Sequence, residues 1–366
     1  MKNHEFAAAL VIRRTLLMVC LLWSAAANHF SYINAQHLTL VELNCENLFD
    51  CVHDSLKQDY EFLPESGRKW TPQRYWRKLN NIGREILSCT PDTVSYQLPD
   101  LVALCEVEND SVLECLAHRS LLRRAGYEYI VTSSPDERGL DVALLYQPFS
   151  FAPVSHHPIR ITPLPNMRPT RDILYVSGRI QTGDTLHIFV VHAPSRYGGE
   201  QLTRPYRMHV ARRLMQSVDS LLAQSPQAPV IVAGDFNDYT DDASLAFLEQ
   251  SGLTEVSRSA RGTHGAEGTY CFQGFWGSLD HVFATPSLAA SVDTCYVNDA
   301  LFLMEEDTKY AARRPRRTYQ GYRYQPGYSD HLPLVVRFRL AAEENILNNI
   351  DGVTAQECPH VVRSDL

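Results

Sequence analysis

The 366-residue chain lacks several of the patterns by which common functional classes are recognised. It has no glycine-rich loop ending in Lys-Ser or Lys-Thr, which would cradle the phosphates of a nucleoside triphosphate. It has no Gly-x-Ser-x-Gly turn, which excludes the serine nucleophile of an α/β-hydrolase. Its nine cysteines include no Cys-x-x-Cys pair, so nothing indicates a structural zinc site.

Excess positive charge is also missing. The formal net charge is −8, and hydrophobic residues make up 45% of the chain, which is ordinary globular composition. No field of basic residues attracts a polyanion by itself, although a bound metal ion can supply positive charge locally. No internal repeat, low-complexity tract or long linker divides the sequence, which favours a single core.

The N-terminal segment has the pattern of an export signal. Arg13 and Arg14 precede an apolar run at residues 15–27 that is too short to span a membrane comfortably. Polar sequence follows, with a small-residue pattern at 33–36. We therefore predict a signal peptide over residues 1–36, export to the periplasm or the extracellular space, and no stable membrane span.

Export would place the remaining cysteines in a compartment that permits disulfides. Cys45 and Cys105 nevertheless lie inside strand-like segments, where we expect small buried thiols. The sequence does not indicate any pairing.

Segments with strand and helix periodicity alternate along the chain. Residues 71–88 carry an apolar stripe at helical spacing, with Thr71 at the N-cap position and Pro72 in the first turn. Further helices are predicted at 201–222 and 243–250. The predicted strands cover residues 38–44, 100–108, 140–146, 172–180, 185–194, 229–234, 278–285 and 330–340. This mixture predicts an α+β fold in layers around one core, over residues 37–340, followed by a C-terminal tail at 341–366.

Polar side chains stand at one end of most of these strands. Residues 229–234 form a continuous apolar run of the kind found in strands buried on both faces, and Asp-Phe-Asn-Asp follows at once. Each such motif alone is typical of a turn. The polar residues at the strand ends are Asn44, Glu46, Glu106, His192, Asp235, Asn237, Asp280, Asp330 and His331. Because so many separate segments end in this chemistry, we predict that they meet in one site.

That set of side chains suits metal-assisted hydrolysis. Carboxylate oxygens are hard ligands, which bind Mg²⁺, Mn²⁺ or Ca²⁺ rather than a soft metal. Two histidines and an aspartate can divide the general acid and general base roles. With no serine nucleophile indicated, water is the expected nucleophile.

The motifs also occur in the order found in a known family. The segments LNCENLF, DLVALCEVEN, DVALLY, VVHAPSRYGG, GDFND, SLDHVF and GYSDHLP span residues 43–333 of the chain. Together they resemble the endonuclease/exonuclease/phosphatase family, which includes secreted deoxyribonucleases, abasic-site endonucleases, sphingomyelinases and inositol-phosphate phosphatases. The resemblance implies a four-layered α/β/β/α sandwich of two mainly antiparallel sheets flanked by helices.

The resemblance implies a metal site and the identity of its ligands. Glu106 is similar to the principal metal-ligating carboxylate of the family. Asn44 and Asp330 would help to set the metal and its waters, and Asn44 would also lie near the substrate. Glu46 stands where some relatives have an acidic residue near the metal. Mg²⁺ is the expected ion, with Mn²⁺ or Ca²⁺ as alternatives.

The resemblance also implies catalytic roles. Asp235 and Asn237 resemble the pair that orients the attacking water and contacts the phosphoryl oxygens. His331 resembles the imidazole that acts as base or stabilises the phosphate, and Asp280 would orient it. His192 resembles the second histidine, which donates to the phosphate or the leaving group.

Three features bear on the substrate. Arg171 is a candidate for a phosphate contact, or else a surface arginine. The segment 313–328 interleaves arginines with tyrosines, so Arg317 and Tyr319 could contact phosphate and stack on bases, or the segment could be a solvated loop. Glu108 stands where secreted deoxyribonucleases have an arginine, and an acid there would repel a DNA phosphate.

Three functions follow from these observations. We favour a secreted, divalent-metal-dependent phosphodiesterase, an endonuclease acting on nucleic acid as a monomer. The first alternative keeps the chemistry but acts on a phospholipid head group or a small phosphoester. The second alternative is an inactive binding protein that retains the fold.

Overall fold

The computed structural model describes residues 37–90 and 97–340. The predicted signal peptide at 1–36 and the predicted tail at 341–366 lie outside the described residues. Residues 37–339 form one compact unit. Within the described part of the chain, no helix is both long and apolar enough to cross a membrane.

Strands outnumber helices in the described residues. In chain order the elements are β1 (His37–Leu48), α1 (Pro72–Leu87), β2 (Leu101–Val107), α2 (Asp110–His118), β3 (Glu128–Val131), β4 (Asp141–Tyr146), β5 (Phe151–Ile159), β6 (Ile173–Ile180), β7 (Thr185–His192), α3 (Glu200–Gln224), β8 (Val230–Asp235), α4 (Ala243–Gln250), β9 (Thr254–Glu255), β10 (Tyr270–Phe272), β11 (Phe275–Gly277), β12 (Asp280–Ala284), α5 (Pro286–Ala289), β13 (Val292–Val297), β14 (Met304–Asp307), β15 (Ala312–Pro315), β16 (Tyr319–Gln320), β17 (Arg323–Tyr324) and β18 (Leu334–Arg339).

The strands form two six-stranded sheets and three small hairpins. The first sheet has the order β13-β18-β1-β2-β4-β3, and the second has the order β5-β6-β7-β8-β12-β9. Within these sheets only β1 with β2 and β7 with β8 pair in parallel. The prediction of two mainly antiparallel sheets is confirmed.

Helices cover the outer face of each sheet. Leu79 and Ile82 of α1 pack in the same buried cluster as Val41 and Leu104 of the first sheet. Helices α3 and α4 contribute to a second cluster against the second sheet, which includes Val232 of β8. This arrangement gives the four layers expected from the sequence, and it follows from the apolar stripes that each helix must bury.

The inner faces of the two sheets meet in the middle of the sandwich. The Cys105 thiol of β2 lies 3.3 Å from the Val191 carbonyl oxygen of β7. Cys45 and Cys105 are both fully buried, as predicted. The seven cysteines of the described residues are free thiols.

Two boundaries differ from the prediction in ways that affect the site. Strand β1 continues to Leu48, past the predicted end at residue 44, so that Asn44 lies inside the strand. The last strand begins at Leu334 rather than at residue 330, which leaves Asp330 and His331 in the segment that enters it. The arginine- and tyrosine-rich segment 313–328 contains β15, β16 and β17 rather than an irregular loop.

Candidate active site

The sheet topology brings the predicted site residues to one edge of the sandwich. His192 ends β7 and pairs in register with Asp235, which ends β8. Asp280 begins β12 and also pairs with Asp235, because β12 runs antiparallel to β8. The carboxyl ends of parallel strands and the starts of their antiparallel neighbours share an edge, so the three side chains lie side by side.

A glycine allows β7 and β8 to approach closely at this edge. Gly234 has a φ of 153°, and a Cβ added there would lie 1.8 Å from the Val191 carbonyl oxygen. Only glycine adopts this backbone conformation without strain. The glycine before Asp235 is therefore required for the position of that carboxylate.

Asp280 and His331 form a buried pair. The His331 Nδ1 atom lies 2.7 Å from Asp280 Oδ2, which also accepts a hydrogen bond from the Thr269 hydroxyl. Burial alone would lower the pKa of His331, but the charge and hydrogen bond of Asp280 outweigh it and raise the pKa well above its ordinary value. His331 is therefore an imidazolium held in a fixed orientation.

Asp235 is central to the cluster. Its Oδ2 accepts a hydrogen bond of 2.9 Å from the Asn44 side-chain amide, and its Oδ1 accepts one of 2.8 Å from the Asn237 backbone. Burial, and then the charge of Asp280, raise the pKa of Asp235 to about 7. A carboxyl group with this pKa can exchange a proton near neutral pH.

His192 lies between two carboxylates. Its Nε2 is 3.6 Å from Asp235 Oδ2 and 3.8 Å from Glu106 Oε1. Burial, and then the positive charges of Arg171 and Arg138, hold the pKa of His192 well below its ordinary value. The two histidines of the site therefore differ in charge: His192 is neutral at neutral pH.

Arg171 is placed behind His192 and not on the surface. The residue is 6% exposed, and its Nη2 donates a 2.7 Å hydrogen bond to the Ala193 carbonyl oxygen. The side-chain amide of Asn237 donates a 3.1 Å hydrogen bond to the same carbonyl oxygen, and the Asn237 backbone has a left-handed φ of 52°. The surface interpretation of Arg171 is wrong, and its guanidinium instead supports the segment that carries His192. Its predicted phosphate contact remains a prediction.

Glu46 and Asp330 share an arginine. Arg317 donates from Nη2 to Asp330 at 2.7 Å and from Nε to Glu46 at 3.2 Å. The other oxygen of Glu46 accepts a 2.6 Å hydrogen bond from the Thr318 backbone and lies 3.5 Å from the Lys78 ammonium. Glu46 therefore anchors the segment around Arg317. Both carboxylate oxygens of Glu46 already accept hydrogen bonds in these contacts. Its role as a metal ligand remains a prediction.

The predicted stacking role of Tyr319 is wrong. Its side chain is 5% exposed, and its hydroxyl donates to the Arg68 carbonyl. Its ring packs beside Trp70 and Tyr324. A ring in the core cannot stack on a base, so other aromatic side chains must do so if the substrate is a nucleic acid.

Glu108 does not face the cleft. It is buried, and its Oε2 accepts a 2.7 Å hydrogen bond from the Asp50 backbone. Burial raises the pKa of Glu108 to about 8 against the lowering effect of this hydrogen bond, and the charges of nearby acidic residues add to the rise. The predicted repulsion of a DNA phosphate by Glu108 is therefore not supported, because the side chain is neutral and points inward.

Sequence patterns did not identify two residues at the bottom of the site. Glu42 is fully buried two positions before Asn44, and its carboxyl pKa is raised well above its ordinary value by burial and by the charges of Asp280 and Asp235. The period of two along β1 was the available signal, because it places Glu42 and Asn44 on the same face. Thr269, which donates to Asp280, had no comparable signal.

The donors fit a divalent cation. Asp235 and Asp280 each offer a carboxylate oxygen, and these oxygens lie within 4.8 Å of each other and of a His331 ring nitrogen. Because His331 is protonated, only the carboxylates are available to a cation. Asp280 Oδ1 is buried without a hydrogen-bond partner, and Glu106 is partly exposed at the same edge. Oxygen donors of this kind suit Mg²⁺, Mn²⁺ or Ca²⁺.

The sequence was also compared with known families. Residues 39–340 match the model described as the Endonuclease/Exonuclease/phosphatase family. The chain belongs to this family. Family members hydrolyse phosphoester bonds with divalent metal ions, and the chain is a metal-dependent hydrolase of that type. No curated protein sequence matches it significantly.

Solved structures of the family share the fold. An endonuclease/exonuclease/phosphatase family protein from Bacteroides thetaiotaomicron has a TM-score of 0.57 and 16% identity, covering 85% of this chain and 98% of its own. A mannosyl-6-phosphatase from the same organism has a TM-score of 0.51 and 18% identity, covering 82% and 98%. Truncated TDP2 from Caenorhabditis elegans has a TM-score of 0.50 and 16% identity, covering 83% and 97%. At these identities the likeness shows the fold alone.

Proposed function

We propose that this protein is an exported endonuclease that hydrolyses phosphodiester bonds of nucleic acid with water as the nucleophile. The observation that carries the proposal is the cluster at the sheet edge. It combines an imidazolium, His331, with a neutral imidazole, His192, and with Asp235, whose pKa is about 7.

The side chains of the cluster divide the work. Asp235 can accept a proton from the attacking water, because its pKa lies close to neutral pH. His331 can donate to a phosphoryl oxygen as the charge on it develops, since Asp280 keeps the ring protonated and oriented. Asn237 is held by the Asp235 side chain and the Ala193 carbonyl, so its position for contacting the phosphoryl group is fixed before substrate binds.

A divalent cation would be held by Glu106, with help from Asn44 and Asp330, and Mg²⁺ is the ion we propose. When bound, it supplies a charge that stabilises the developing negative charge on the phosphoryl group. Arg317 holds Asp330 and lowers its pKa below the ordinary value against the effect of burial. Asp330 therefore remains a carboxylate at neutral pH.

Nucleic acid is favoured by the aromatic side chains around the cleft. Tyr270 packs against the His331 imidazole with ring centroids 4.9 Å apart, and Phe272, two positions along the same strand, is exposed. Exposed rings beside a phosphate site suit base stacking. The inward placement of Glu108 removes one argument against this substrate class.

A small phosphoester is the second candidate, and one observation favours it. Three of the five arginines of the segment 313–328 pair with carboxylates: Arg313 with Glu306, Arg314 with Glu305 and Asp307, and Arg317 with Glu46 and Asp330. Few free positive charges then remain for a long polyanion. A sugar phosphate or a phospholipid head group needs only the central cluster.

Hydrolysis assays decide between the two. We expect nicking of supercoiled plasmid and cleavage of single-stranded DNA or RNA with Mg²⁺ or Mn²⁺, and loss of both with chelator. The activity of a His192→Ala/His331→Ala variant sets the baseline of the assay. The control variant is His156→Ala, because His156 is exposed on β5. Nucleic acid left intact, with phosphate released from mannose 6-phosphate or phosphocholine from sphingomyelin, would establish the second candidate. Activity equal to that of the double variant on every substrate would contradict both.

Export is tested on the expressed protein. The charged and apolar pattern of residues 13–27 supports secretion. We expect the mature protein in the periplasm or the medium, with an N-terminus near residue 37. An intact N-terminus in the cytoplasmic fraction would contradict export.

A further inference from the structure

A cleft adjoins the catalytic cluster. It has a volume of about 260 Å³ and lies between the β10–β11 hairpin and the β14–β15 hairpin. Tyr270 and Phe272 line it from the first hairpin, and Tyr310 and Arg314 line it from the second. Asp330 contributes to the same lining, so the cleft opens directly beside the proposed phosphate site.

The two hairpins that form this cleft are fixed against each other. Gln273 and Gly274 both have a positive φ, as a two-residue hairpin turn requires. A Cβ added to Gly274 would lie 2.9 Å from the Tyr310 Cβ, so the turn packs directly on that tyrosine. The Cys271 thiol also lies 3.6 Å from the Arg313 carbonyl oxygen. The walls are therefore formed before a ligand binds.

The charged groups of the cleft neutralise one another. Arg314 donates to Asp307 at 2.8 Å and to Glu305 at 2.9 Å. No guanidinium in this part of the cleft is left without a carboxylate, so it is a poor site for a second phosphate. The aromatic walls instead favour a flat, uncharged group, with the Gln273 side chain available to its polar edge.

We propose that this cleft binds the nucleobase of the nucleotide next to the scissile phosphate, with the base between the aromatic rings of the two hairpins. The proposal rests on the proposed function and names its substrate subsite. Tyr270 links the two sites, because its ring contacts both the cleft and the His331 imidazole. The phosphate of the same nucleotide would then lie at the cluster.

Binding can be measured without hydrolysis. In chelator, calorimetry compares adenosine 5′-monophosphate and the other nucleoside 5′-monophosphates with ribose 5-phosphate, which has the same phosphate and sugar but no base. Because stacking a base on an aromatic side chain has a known range of free energies, we expect nucleotides to bind roughly 5- to 100-fold more tightly than ribose 5-phosphate.

Variants assign the preference to the cleft. Phe272→Ala and Tyr310→Ala should each reduce the preference for nucleotides, whereas Phe272→Trp should keep it because the ring is retained. The matched control is Phe275→Ala. Phe275 pairs with Phe272 across the same hairpin and is 81% exposed, but it does not line the cleft. This control should bind nucleotides as the unmodified protein does.

The possible results separate this proposal from the proposed function. Equal affinities for nucleotides and ribose 5-phosphate would overturn the base subsite, and so would an unchanged preference in both alanine variants. Either result leaves metal-dependent cleavage of nucleic acid untouched. Conversely, a base preference with no nucleic acid cleavage would support the subsite and contradict the endonuclease.

Discussion

His331 Nδ1 lies 2.7 Å from Asp280 Oδ2, while the neighbour of Asp280 in sequence, His281, makes an equivalent pair of 2.8 Å with Glu255. The two pairs have similar chemistry but different surroundings. His331 packs against Tyr270, which lines the cleft, whereas His281 is fully buried and its second nitrogen contacts the Asp238 carbonyl oxygen. Only the first pair can reach a substrate.

Asp280→Asn should therefore impair catalysis through His331. Without the carboxylate, the main group that raises the pKa of His331 is lost, so its pKa should fall. We expect kcat to drop by roughly 10²- to 10⁴-fold, the usual contribution of a positioned acid or base. Titration of the His331 ring by NMR measures the fall in pKa, and steady-state kinetics measures kcat.

The control for Asp280→Asn is Glu255→Gln. This change removes the carboxylate of the buried His281 pair, so it should lower the free energy of unfolding with a much smaller loss of kcat. An equal loss of kcat in the two variants would contradict a specific role for Asp280 in orienting His331.

The strand ends that form the site could be predicted from sequence because their signal is local. A continuous apolar run identifies a buried strand, and the first polar residue after it is then at an edge. His192 and Asp235 were found in this way and lie in register on adjacent strands. The family resemblance added the pairing of Asp280 with His331, which are 51 positions apart.

The remaining contacts of the site had no local signal. Glu46 accepts from Arg317, 271 positions away, so no pattern near Glu46 indicates that its carboxylate is occupied. Tyr319 has the same neighbours in sequence whether its ring faces solvent or the core. Its burial depends on packing with Trp70, in a distant segment. Side-chain partners of this kind are set by tertiary structure.

A buried ion pair should hold the segment that follows Asp235. Arg207 of α3 donates from Nε to Asp238, whose other oxygen accepts from the Ser244 hydroxyl. Both charged residues are 1% exposed. Arg207→Ala would leave the Asp238 carboxylate buried without its cation, so we expect the free energy of unfolding to fall by about 3–5 kcal/mol in urea titrations.

Arg204→Ala is the matched control for that prediction. Arg204 lies one turn earlier on α3, is exposed, and pairs with Glu200 on the surface. Such pairs contribute little, so the loss should stay within about 1 kcal/mol. Similar losses in the two variants would mean that burial of the Arg207 pair has no special effect.

Gly234→Ala tests the close approach of β7 and β8. The added methyl group would lie 1.8 Å from the Val191 carbonyl oxygen, which is backbone and cannot rotate away. We expect the variant to lose stability and to displace Asp235, with a fall in kcat. Gly252→Ala also has a positive φ, of 101°, but meets open space. If Gly234→Ala had a melting temperature no lower than that of Gly252→Ala, the added methyl group would not clash with the Val191 carbonyl oxygen, and the prediction would be wrong.

Stability should also depend on pH through Glu85 of α1. This carboxyl group is fully buried, neither oxygen has a hydrogen-bond partner, and burial raises its pKa from 4.5 to about 8. The folded-state pKa exceeds the unfolded one, so the contribution of Glu85 is fully present below about pH 4.5 and is lost as the pH rises to about 8. The Glu85→Gln change replaces the titrating carboxyl group with an amide, which does not titrate. As the pH rises through that window, the unmodified protein should therefore lose stability relative to Glu85→Gln. The loss should reach up to about 1.4 kcal/mol of unfolding free energy per pH unit. Urea titrations at pH 5 and pH 8 measure it, with the exposed Glu267→Gln as control. A difference that stays constant between the two pH values would show that Glu85 titrates alike in the folded and unfolded chain.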